Sequence, residues 1–197
     1  MRREFTTLCR VMKLQTLRIK VHVATLAAAL CLVTPAWAND GRVGELLKAL
    51  QDAEGTEARR IAGQIRSEWS KSGSAAMDML LRRGRAALED EDPGKAVEHL
   101  TALTDHAPDF AEGWAARGLA FYQQGEIMLA LSDLERALAL NPQHFGALQG
   151  VGAIMQQLDR PELAWRAYEA VLALYPENTQ VRAAMESLET TVRGRDL

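Results

Sequence analysis

The most constraining feature of the chain is a period. Pro108, Pro142 and Pro176 recur every 34 residues, as do Gly84, Gly118 and Gly152, and Ala96, Ala130 and Ala164. Three residue types sharing one interval, each three times, mark a repeated structural unit, and such a repeat governs every local reading. The stretch Leu134–Gly152 is rich enough in Ala and Leu to run as one helix, yet Asn141-Pro142 divides it. Proline inside a helix removes a hydrogen bond and collides with the preceding turn, so a helix ends there. Glycine inside a helix costs about 1 kcal/mol relative to alanine, so a glycine kept at one register implies close backbone approach. Between each glycine and its alanine lie turn residues: Asp92-Pro93-Gly94, Gly125-Glu126 and Asp159-Arg160-Pro161. Each unit therefore reads as helix A, turn, helix B. Asp92 before Pro93 predicts an N-cap with proline at the first helical position. Asp109 with Glu112 predicts a capping box for the next helix. Glu89-Asp90-Glu91-Asp92 reads as a solvated turn, since it lacks the spaced ligands and glycine of a calcium loop.

Period and residue order resemble the tetratricopeptide repeat, a helix–turn–helix unit of 34 residues. The resemblance places repeats at 77–110, 111–144 and 145–178. The large apolar residue of helix A is Leu80, Trp114 and Leu148, and the small one is Gly84, Gly118 and Gly152. The bulky residue a turn later is Ala87, Phe121 and Met155, where the first repeat departs from the pattern. Helix B carries Ala96, Ala130 and Ala164, followed by the pairs Leu100 with Leu103, Leu134 with Ala137, and Tyr168 with Val171. The implied fold is all-α: a right-handed α-solenoid of helical hairpins.

Residues 39–74 and 179–197 flank the repeats. Val43, Leu46, Leu47 and Leu50 fall on one helical face, and after Gly55 so do Ala58, Ile61, Ile65 and Trp69. Ala62 lies in register with the helix-B alanines, while Leu50 and Ser74 stand where the glycine and proline would fall. The expectation is a degenerate hairpin capping the stack, joined through Lys71-Ser72-Gly73-Ser74. Val181, Met185, Leu188 and Val192 form an apolar stripe opposite Arg182, Glu186, Glu189 and Arg193, which predicts the solvating end helix that repeat stacks require.

Residues 1–38 differ from the rest. A basic start, an apolar run from Val21 to Val33 and Thr34-Pro35-Ala36-Trp37-Ala38 predict a signal peptide cleaved after Ala38. The apolar run is short of the roughly 20 residues that span a membrane, which weighs against the rival reading of an uncleaved anchor. Leu30 before Cys31 weighs against a lipoprotein, and Met12 offers a second start. Of 23 basic and 26 acidic residues, 6 and 1 fall within residues 1–38, so the remainder holds 17 and 25, a net charge of −8. That acidity argues against nucleic acid or anionic lipid as partner. Cys9 and Cys31 both lie in the leader, so the exported chain has no thiol.

The sequence holds no G-x-S-x-G elbow, phosphate loop or H-E-x-x-H. Gly150-Val151-Gly152 lacks the third glycine of a dinucleotide fingerprint, and His99, His106 and His144 are not spaced for metal, so each reads as a surface or interface residue. No enzyme activity, cofactor or metal is expected. The family resemblance instead implies a concave groove, lined by the A helices, for an extended peptide or a partner's helix. Its groove frame in the first repeat is Asp78, Leu81, Arg82, Arg85, Leu88 and Glu89. In the second it is Glu112, Ala115, Ala116, Leu119, Tyr122 and Gln123. In the third it is Gly146, Gln149, Gly150, Ala153, Gln156 and Gln157. The candidate partner-binding residues are Arg82, Arg85, Tyr122, Gln123, Gln149 and Gln156, with cover by a neighbouring helix or water as the competing reading. The family's carboxylate-clamp positions fall on Leu81, Arg85, Ala116, Gly146 and Gly150, of which one is basic, so that ligand is not carried over. The expectation is an exported, monomeric adaptor in the periplasm of a Gram-negative bacterium that binds a protein or peptide and has no membrane span after cleavage. The alternative is a structural module that self-associates or docks permanently in an envelope complex.

Overall fold

The computed structural model describes residues 37–195, with side chains described from 41 to 189. Residues 1–36 of the leader, with its apolar run and both cysteines, lie outside this range, as do the side chains of Val192 and Arg193. Among the described residues all regular structure is helical: α1 (Trp37–Asp52), α2 (Gly55–Trp69), α3 (Ala75–Glu89), α4 (Pro93–His106), α5 (Ala111–Gln123), α6 (Ile127–Leu140), α7 (Phe145–Gln157), α8 (Pro161–Leu174) and α9 (Thr179–Arg195). The three repeats are the pairs α3–α4, α5–α6 and α7–α8.

Helix boundaries follow the breakers. Asp92 Oδ1 accepts the Lys95 N–H at 3.0 Å, and Pro93 opens α4. Pro108, Pro142 and Pro176 each stand two residues past the end of a B helix. Within each repeat the A helix meets B where its glycine faces a large side chain. A Cβ at Gly84 would lie 2.5 Å from Leu100 Cγ, one at Gly118 3.0 Å from Leu134 Cγ, and one at Gly152 2.4 Å from Tyr168 Cε1. Ala96, Ala130 and Ala164 are completely buried.

Three apolar clusters result. Leu81, Ala87, Ala96, Leu100 and Leu103 join Ala116 and Ala120 of α5. Ala115, Ala130, Leu134 and Ala137 join Ala147 and Ile154 of α7. Phe145, Ala164, Tyr168, Val171 and Tyr175 are closed by Val181 and Leu188 of α9, which is the expected end helix. Between the first two repeats Arg117 donates bidentately to Asp133 at 2.7 and 2.9 Å and to Thr104 Oγ1 at 2.8 Å, beneath the ring of Trp114.

Two expectations are corrected. The predicted capping box at Asp109 and Glu112 does not form: Phe110 is the N-cap of α5 without a side-chain bond, and Asp109 is exposed beside Arg136. Glu112 turns inward to partners described below. The α1–α2 segment also does not extend the stack beyond the first repeat. Its buried Leu47, Leu50, Ala58, Ile61, Ala62 and Ile65 belong to the cluster of the third repeat, and the first repeat's cluster contains none of them. The reason lies in the available surfaces. α3 presents Arg82 and Arg83 outward, whereas the third repeat presents aromatic rings: Trp69 packs on Phe145, with centroids 4.9 Å apart, and Phe145 packs on Tyr175. The short connection through 71–74 allows the reversal, with Gly73 at φ +82° and Ser72 donating through both N–H and Oγ to Asp78 Oδ1 at 2.8 and 2.6 Å.

Two glycine-to-alanine substitutions therefore have opposite signs. Gly63→Ala on α2 meets nothing within 4 Å and stabilises by up to about 1 kcal/mol through helix propensity. Gly84→Ala drives Cβ into fully buried Leu100 and destabilises by about 1–2 kcal/mol net of that propensity. Urea unfolding followed by circular dichroism checks both.

Candidate functional site

A cleft of about 700 Å³ runs along α3, α5 and α7. Its floor is made of small and aliphatic residues at the groove-facing register: Ala115, Ala116, Leu119, Gly150 and Ala153, with Leu88 at one end. The smallness has a packing cause at Gly150, where a Cβ would lie 2.9 Å from Leu134 Cδ1. Leu119 is 48% exposed at the base of this space.

Glu112 is the electrostatic centre of the wall. Arg85 Nη2 donates to its Oε1, and His144 Nε2 lies 2.9 Å from its Oε2. His144 Nδ1 accepts the Ala147 N–H at 3.0 Å and so caps α7. That bond assigns the proton to Nε2, which donates to Glu112. His144 is thus buried rather than at the surface, and Trp69 stacks on it with centroids 4.8 Å apart. Arg85 also donates to Ser70 Oγ at 2.8 Å, so one network ties α2, α3, α5 and α7 together. Burial pushes the Glu112 carboxyl up, but the hydrogen bond from His144 and the charge and hydrogen bond of Arg85 outweigh it and hold it below the usual carboxylate value.

At the other end Asn178 caps α9 by accepting the Val181 N–H at 3.1 Å and donates to Gln149 Oε1 at 3.2 Å. Gln149 Nε2 in turn donates to Gln180 at 3.1 Å. Glu177 accepts the Gly55 N–H at 3.3 Å and Arg182 at 2.7 Å, and these bonds lower its pKa.

Of the six candidate residues the cleft brings together Arg85, Tyr122 and Gln149. Arg85 and Gln149 already hold protein partners, as the competing reading has it. Arg82 is exposed on α3 near Asp78, outside the cleft. Gln123 is exposed at the last residue of α5, and Gln156 accepts the Tyr168 hydroxyl at 3.2 Å, also outside. Leu81 is 1% exposed, so the clamp position it occupies faces the core. Residues that the groove frame omits include Arg59 and Arg66 from α2, together with His144, Phe145 and Asn178. His144 and Asn178 had a signal, since each immediately precedes a helix and can cap it. Arg59 and Arg66 had none, because α2 reaches the cleft only through long-range packing. Among the described residues no three His, Cys, Asp or Glu side chains converge as metal ligands.

The architecture is an α-solenoid of helix–turn–helix units with a cleft on its A helices. Residues 111–144 match the family model of the tetratricopeptide repeat. A TPR repeat-containing protein of Rhizobium etli is 30% identical over 154 residues, covering 78% of this chain and 76% of that protein. The chain belongs to the tetratricopeptide-repeat proteins. Among solved structures, the first TPR of Spaghetti (RPAP3) bound to an HSP90 peptide superposes with a TM-score of 0.59 at 24% identity, over 61% of this chain and 95% of that one. MamA superposes with a TM-score of 0.56 at 21% identity, over 71% and 78%. At these identities the likeness is one of fold.

The lowered pKa of Glu112 means that its stabilisation is fully present above the ordinary value of 4.5 and is lost as pH falls through the lower folded value. Glu112→Gln removes the charge that pairs with Arg85. It is expected to cost about 1–3 kcal/mol at neutral pH, moderated by the partial exposure of Arg85. The variant is also expected to flatten the acid limb of stability. Thermal melts of both proteins from neutral pH to below 4.5 check the two effects.

Proposed function

We propose that this protein is an exported, non-catalytic adaptor that holds a peptide or helical segment of another protein in the cleft along α3, α5 and α7. The observation that carries the reading is the cleft itself: a long concavity in a TPR protein, floored by alanine, glycine and one exposed leucine. Such a floor accepts a backbone at close range and gains by burying apolar side chains. The Spaghetti domain was solved with a peptide bound, which supports a protein segment as the ligand class here. Export rests on the leader, and among the described residues no helix is long and apolar enough to cross a membrane.

A second reading, a module that self-associates through its outer face, draws support from Leu129 and Leu163, which are 49% and 48% exposed at equivalent positions of α6 and α8. Light scattering over a wide concentration range separates the two. A constant monomer mass is expected, and a stable dimer favours the second reading.

A photo-crosslinking residue placed at Leu119 is expected to capture a partner in the envelope, whereas one at exposed Glu98 on α4 captures none. With the crosslinker kept at Leu119, Ala153→Asp on the same floor abolishes the capture, with stability lowered by no more than about 1 kcal/mol. Capture that is equal at Glu98, or indifferent to Ala153→Asp, overturns the groove assignment. N-terminal sequencing of the mature protein is expected to begin at Asn39.

A further inference from the structure

The α2 helix has an unusual position for a segment adjacent to the first repeat. Its N-terminus is tied to the loop after the third repeat by the Gly55 N–H bond to Glu177, and Gln51 just before it donates to the Ala173 carbonyl at 3.1 Å. Its C-terminus sits on the start of the third repeat, where Trp69 stacks on His144 and packs on Phe145. One residue further, Ser70 accepts from Arg85 of the first repeat. Fifteen residues of helix cover about 22 Å, so α2 runs along the stack from the end of the third repeat back to the first. Arg59 and Arg66 on it line the same cleft as the A helices. The cleft is therefore a groove with one flank built by the chain's own helix.

Resting on the groove reading above, we propose that α2 is a displaceable strap, and that the partner segment is an amphipathic helix of the same chemistry that takes its place. The pattern to be matched is Ala58, Ala62, Ile65 and Trp69 on one face, with Arg59 and Arg66 beside it. The strap is suited to release. The ties at its N-terminal end, to Ala173 and Glu177, are exposed hydrogen bonds. Its sequence holds Gly55 and Gly63, and a helix of this length is marginal without its docking surface. The connection at 71–74 keeps a released strap tethered to α3, so it competes at high effective concentration.

The test uses a fluorescein-labelled synthetic peptide of residues 55–69 and the full chain, wild type and Ile65→Ala/Trp69→Ala. The double variant weakens the strap and leaves the surface beneath it intact. The peptide is expected to bind the variant at least about ten-fold more tightly than wild type. The same peptide carrying Ile65→Asp is expected not to bind. Equal binding to both proteins, or none to a variant of native helicity, overturns the proposal. Hydrogen exchange on the wild-type chain decides if the variant fails to fold. The α2 amides are expected to exchange at least about ten-fold faster than those of α6, through a local opening. Exchange of α2 only with global unfolding overturns the strap. Peptide failure with Leu119 crosslinking retained removes the strap alone; loss of that crosslinking removes the groove itself.

Discussion

The structure depends on one steric arrangement: a helix backbone without a side chain lying against a buried branched or aromatic one. Leu100, Leu134 and Tyr168 occupy the space where Gly84, Gly118 and Gly152 have no Cβ. The approach sets the separation of A and B helices within each repeat, and its recurrence sets the rotation from one repeat to the next. The groove follows from that rotation, with the A helices along its inner face and α2 as one flank. Helix propensity is sacrificed three times at the same register, and burial of three large side chains offsets it.

Charge is used sparingly in this interior and is always answered. Glu112 has Arg85 and His144, Asp133 has Arg117, and Glu68 has Lys71 and Arg42. Among the described residues no buried side-chain nitrogen or oxygen lacks a partner. The carboxylates do positional work. Asp133 orients Arg117 across the joint between the first two repeats, and Glu112 orients the histidine that caps α7. A single buried acid thus fixes both the wall of the cleft and the start of the helix that forms its third section.

The readability of these features from sequence tracks the range of the interaction involved. Gly84, Pro108 and Ala96 were legible because each obeys a rule local to one hairpin and is repeated twice more. The Asp92 cap was legible for the same reason. Glu112 was misplaced because a capping box and a buried ion pair share the same local pattern, and only the positions of Arg85 and His144 decide between them. The stripe of α2 correctly announced a buried face, but amphipathicity does not name the surface that covers it. Gln156 lies outside the cleft, where it accepts the hydroxyl of Tyr168, twelve residues on, in helix B.

The return of α2 to the third repeat changes what kind of object the repeat array is. In an open solenoid each unit interacts with its neighbours alone, so stability is a sum along a line and the ends can fray independently. Here the segment preceding the first unit is fastened to the last, which makes the line a loop. While α2 is seated, fraying at either end must break the same closure, which includes the bond between Gly55 and Glu177, 122 apart in sequence. The array has the cooperativity of a globular domain while α2 is docked and returns to an open line when α2 lifts away.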